Sequence, residues 1–162
     1  MRYSDPVGYL ITFACYGTRV HGDARGTVHH DQTGFARPTV QPDPEVERVM
    51  RERMAQAPFT LDYKARFVAD KTIREVFQYR KWKLGQLNVR TNHVHIVAAV
   101  NVRGDAKAWA ARRLRESGLV AADRRIWADG GSTVYLWNAA SWAEAMEYVS
   151  DRQGPDLPMR AG

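Results

Sequence analysis

Three observations predict an α+β fold in which helices pack on one face of a mainly antiparallel sheet. Strand-like and helix-like segments follow one another as strand, helices, strand, strand, helix, strand, helix. The middle two strands are joined by only Thr91-Asn92, a connection short enough for a hairpin. No interior linker is polar enough to divide the chain, so residues 1–162 are expected to form a single domain, ferredoxin-like in outline. Its 162 residues, 44% hydrophobic and 10% aromatic, suffice for a core and exclude disorder, collagen and a disulfide scaffold.

The first strand is read at residues 9–16, an aromatic and β-branched run bounded by Gly8 and Gly17. Residues 17–43 are rich in Gly, Asp, His, Thr and Pro and read as a long loop. Asp43-Pro44-Glu45 supplies an N-cap, a first-turn proline and early negative charge for a helix that Pro58 should stop, with Val46, Val49, Met50 and Met54 at helical spacing. A second helix is expected over 63–82, with Phe67, Val68, Ile73, Val76, Phe77 and Trp82 on its apolar face. Residues 84–90 and 93–100 form the hairpin strands, and 106–116 a helix ended by Ser117-Gly118. A short strand at 133–137 follows the Asp129-Gly130-Gly131 turn, and a last helix over 141–152 ends at Gly154-Pro155.

Twenty-four basic residues against 18 acidic ones give a net charge of +6, with a pI near 9.7. An anionic partner such as nucleic acid is the expectation this raises, although solubility alone can account for such a charge. The single cysteine, Cys15, lies in an apolar run and should be a buried, inert thiol in a reducing compartment. No apolar run approaches membrane-spanning length and the N-terminus has no signal-peptide design, so a cytoplasmic protein without membrane contact is expected.

His93-Val94-His95 falls within a strand, where residues two apart share a face and can converge on one cation while Val94 points into the packed side. Such a pair can equally serve neighbouring side chains or water. Tyr148 lies on the last helix, and a tyrosine hydroxyl can attack phosphorus when a metal neutralises the phosphate. It can also simply pack its ring and leave its hydroxyl in water.

Three segments bear on the choice: residues 9–26 (YLITFACYGTRVHGDARG), 89–97 (VRTNHVHIV) and 148–154 (YVSDRQG). Together, and in this order, they resemble the REP-associated tyrosine transposases, members of the single-tyrosine HUH endonucleases, named for histidine, hydrophobic, histidine. The resemblance runs from Tyr9 to about Pro155, and Asn-His-Val-His-Ile-Val is its most specific piece. It implies a ferredoxin-like sheet with both histidines on a central strand and the tyrosine on a C-terminal helix. It further implies a Mg- or Mn-dependent endonuclease and strand transferase on single-stranded DNA near a hairpin, with a 5′-phosphotyrosyl intermediate, working as a monomer or homodimer. The protein would then associate with the nucleoid when bound to DNA. Carried over residue by residue, His93 and His95 bind metal and Tyr148 is the nucleophile.

The better-known transposases place a glutamine four residues after the tyrosine, whereas Gln153 here follows Tyr148 by five. On a regular helix five residues turn through about 500°, leaving Gln153 about 140° from Tyr148 unless the helix unwinds before Gly154-Pro155. Gln153 is the expected third ligand, with Glu144 and Asp151 as alternatives. The basic residues Arg80, Lys81, Lys83 and Arg90, and Arg112 and Arg113, lie near Trp82, Trp109 and Trp127, and cations interleaved with aromatic rings suit single-stranded DNA. Arg19 and His21, in the first resembling segment, are further DNA-binding candidates. A domesticated protein that binds hairpin DNA or RNA without cutting is the alternative reading. A cupin-like metal enzyme would need a later histidine, and none follows His95.

Overall fold

A computed structural model describes residues 4–18 and 41–151. Most of the expected loop, with Arg19 and His21, lies outside the described residues, as does Gln153. The elements run β1 (Gly8–Ala14), α1 (Pro44–Glu52), α2 (Tyr63–Arg80), β2 (Leu84–Val89), β3 (His93–Ala98), α3 (Arg103–Glu116), β4 (Ser132–Leu136) and α4 (Ala139–Asp151). The strands form one open antiparallel sheet in the order β2-β3-β1-β4. This is the α+β, ferredoxin-like arrangement expected from the order of elements.

The helices, however, do not all pack on one face. Ile11, Phe13, Val94 and Ile96 point from β1 and β3 into a core shared with Ala69, Ile73 and Phe77 of α2 and Ala106, Ala110 and Leu114 of α3. On the other face, Leu10, Val97, Val134 and Leu136 meet Ala145 and Val149 of α4. Each central strand also carries an apolar residue away from the main core, Leu10 on β1 and Val97 on β3, so the second face needs cover as well. Full burial of a side chain such as Val149 contributes roughly 1.5–3 kcal/mol, which anchors α4 where the sheet is otherwise open.

Several boundaries differ from the sequence reading for local reasons. The Asp43 carboxylate caps α1 by accepting from the Glu45 and Val46 amides. This helix ends at Glu52 and does not run on to Pro58: the Arg53 amide closes on Val49 O, and Met54 turns its methyl onto Gly17. No residue of α1 is buried, so nothing holds further turns to the core. Asp62 caps α2 by accepting from the Ala65 amide at 2.8 Å. That helix stops at Arg80 because Lys81 takes a left-handed conformation (φ 57°) and the Trp82 amide turns back to Phe77 O. Trp82 then meets Phe77 edge-on at 5.9 Å.

Phe67 is 49% exposed and does not belong to the buried face of α2. It stands two residues, about 200°, around the helix from both Ala65 and Ala69, which are buried. The last helix begins at Ala139, where the Asn138 side-chain oxygen accepts from the Ser141 amide and Ser141 Oγ accepts from the Asn138 amide. Among the described residues no helix is long and apolar enough to cross a membrane.

Candidate metal and tyrosine site

Strand alternation puts His93 and His95 on the α4 side of β3 while Val94 is fully buried beneath α2 and α3. The two imidazoles lie 4.6 Å apart between ring centroids at 76°, His95 buried and His93 half-buried. An amide oxygen can only accept, so the 2.6 Å contact between Asn92 Oδ1 and His93 Nδ1 places a hydrogen on Nδ1. In the neutral ring the lone pair then sits on Nε2, the nitrogen a cation would take. Thr12, directly opposite His95 on β1, brings its hydroxyl to 2.8 Å from His95 Nδ1.

Tyr148 enters from α4. Its ring stands 5.7 Å from that of His95, at 78°. Three features fix that approach. Ala145 and Val149 pack onto the sheet, with Trp142 and Met146 beside them. The indole of Trp142 lies on Gly8 and Gly85, where any Cβ would come within 2.7 Å and 2.6 Å of its ring. Asn88 Nδ2, on β2 opposite His95, donates to Val149 O at 3.1 Å. The sheet thus supplies imidazoles and the covering helix a phenol, within one chain.

Two neighbouring imidazoles fit part of the ligand set of a divalent first-row cation, with Mn better suited than Mg, which prefers oxygen ligands. Among the described residues no group of three His, Cys, Asp or Glu side chains is gathered. Glu144 and Asp151 are exposed on α4 and do not complete the pair, and Gln153, the expected third ligand, lies outside the described residues.

The expected DNA contacts divide. Lys83 lies over the Trp142 ring at 5.0 Å, beside α4. Arg80 lies over Trp82 at 5.4 Å, Lys81 caps α2, and Arg90 hydrogen-bonds through its backbone amide to His93 O at the hairpin. Arg112 and Arg113 are instead on α3, across the sheet from the histidines, where both pair with Glu116. The structure does not bring those two to the site. Nor are Trp82 and Trp127 open to stack on bases, since both pack against the main core and Trp127 meets Phe13 edge-on at 4.9 Å.

Thr12, Asn88 and Asn92 escape a reading of the sequence alone. Asn92 could be suspected from its place next to His93, but Thr12 and Asn88 become neighbours of His95 only through strand register. No protein-family model, curated protein or solved structure matches this chain.

Proposed function

We propose that this protein is a metal-dependent tyrosine endonuclease and strand transferase acting on hairpin-containing single-stranded DNA, as its resemblance to the REP-associated tyrosine transposases implies. The observation that carries this reading is the phenol of Tyr148 beside two imidazoles, its ring 5.7 Å from that of His95. Mg or Mn, held by His93, His95 and Gln153, would neutralise the scissile phosphate and make its phosphorus more open to attack.

The chain's own residues do the rest. Tyr148 Oη forms a bond to phosphorus as the bond from phosphorus to the 3′ oxygen breaks in line with it. The phenol loses its proton, the departing oxygen gains one and leaves as a 3′-hydroxyl, and the 5′-phosphate stays on the tyrosine. The ester conserves the phosphodiester bond, so attack by another 3′-hydroxyl completes strand transfer without an external energy source. On this reading Lys83, beside α4, and Arg90, at the hairpin, are the cations that would hold phosphates flanking the break.

The test is incubation with labelled single-stranded hairpin oligonucleotides of varied flanks and Mn, resolved on a denaturing gel. A metal-dependent covalent protein–DNA band from the wild type, absent from Tyr148→Phe and His93→Ala, supports the reading. Binding with no covalent band across the pool replaces it with a non-cutting DNA-binding protein.

A further inference from the structure

Resting on that reading, we infer that Thr12 and Asn88 are positioning residues that serve the two halves of the site separately. Thr12 sets the imidazole of His95, and Asn88 sets the turn of α4 that carries Tyr148.

Register places Ser132, Thr12, His95 and Asn88 side by side across all four strands. One row further along the same face come Val134, Leu10 and Val97, which are buried against α4. A polar row on a helix-covered face costs stability unless its groups are paired, and here Thr12 and Asn88 pair with the site. The Thr12 hydroxyl lies 2.8 Å from His95 Nδ1. In the tautomer with hydrogen on Nδ1 the hydroxyl accepts from it and leaves the lone pair on Nε2, and in either tautomer the contact stops the ring from turning about its bond to Cβ. Outer contacts of this kind typically change metal affinity by 10–100-fold.

Asn88 acts on the other partner. Val149 O belongs to the last turn of α4, whose carbonyls lack a full set of partners within the helix. Asn88 Nδ2 donates to it at 3.1 Å and ties the residue after Tyr148 to the strand next to His95. Without this tie the final turn can lift from the sheet, and a displacement near 1 Å can cost on the order of 100-fold in rate.

Mn binding, measured calorimetrically on the full chain without DNA, separates the two roles from each other and from activity. Thr12→Val should weaken Mn binding by about 10–100-fold, and Thr12→Ser should restore it. Asn88→Ala should bind Mn as the wild type does, yet form the covalent adduct about 100-fold more slowly at saturating Mn. Wild-type Mn affinity in Thr12→Val, or no recovery in Thr12→Ser, overturns the role of Thr12. A wild-type adduct rate in Asn88→Ala, or Mn affinity reduced as far as in Thr12→Val, overturns the role of Asn88. A wild-type chain that binds Mn but never forms an adduct defeats the nuclease reading while the Thr12 result stands by itself.

Discussion

Cys15 is fully buried, and burial pushes its thiol from an ordinary value of 9.0 up to about 12. The folded state therefore favours the protonated form. This group's contribution to stability is complete below pH 9 and is lost as pH rises toward 12. At pH 8 iodoacetamide should alkylate Cys15 only after denaturation, as mass spectrometry can follow; prompt labelling of the native protein would show an open thiol. Lys107 is a second case in which environment assigns a role. Its ammonium donates to Ala128 O at 2.8 Å and Gly130 O at 2.6 Å, holding the loop before β4. Burial, then the charge of Arg103, lowers its pKa, with Asp129 opposing. Lys107→Met should lower stability by about 1–3 kcal/mol in urea unfolding, and an unchanged midpoint would show that the loop holds without it. Only the family resemblance singled out His93, His95 and Tyr148 for chemistry, but the shared strand face of the histidines and the place of the tyrosine on the last helix were legible because strand alternation and helix placement are local patterns. Thr12 was not, since its meeting with His95 spans 83 positions of sequence.

Elements were readable in kind and order, and their ends less so. Helix α2 stops where Lys81 adopts a left-handed backbone, which a lysine does not advertise in sequence. Helix α1 stops short of its proline because it has no buried face to extend. For α4 the decisive feature is the slot formed by Gly8 and Gly85, two glycines from different strands under one indole. A Cβ at Gly85 would come 2.6 Å from Trp142 Cζ2, 2.8 Å from Met146 Sδ and 3.1 Å from Val97 O. Gly85→Ala should therefore raise α4, costing about 1–3 kcal/mol of stability while circular dichroism remains close to wild type. Adduct formation should fall by about 100-fold in the same variant. A wild-type rate would mean that the depth of α4 does not govern Tyr148.

At the scale of the molecule, the succession of strands and helices was enough to read an α+β, ferredoxin-like sheet. The placement of α4 on its second face was not, because it depends on apolar residues at both parities of β1 and β3 acting together. That placement puts the phenol and both imidazoles in a single chain. An equimolar mixture of Tyr148→Phe and His95→Ala proteins should then form no adduct; recovered activity would show that chains exchange their last helix. The most direct measurement is the position of the covalent bond. Nuclease-trimmed adduct from the wild-type protein, Mn and the hairpin pool can be digested and its nucleotide-bearing peptide sequenced by mass spectrometry. A 5′-linked nucleotide on Tyr148 is the predicted result. Attachment to any other residue, or no attached nucleotide under conditions where the DNA is bound, would contradict the assignment of Tyr148 as the nucleophile.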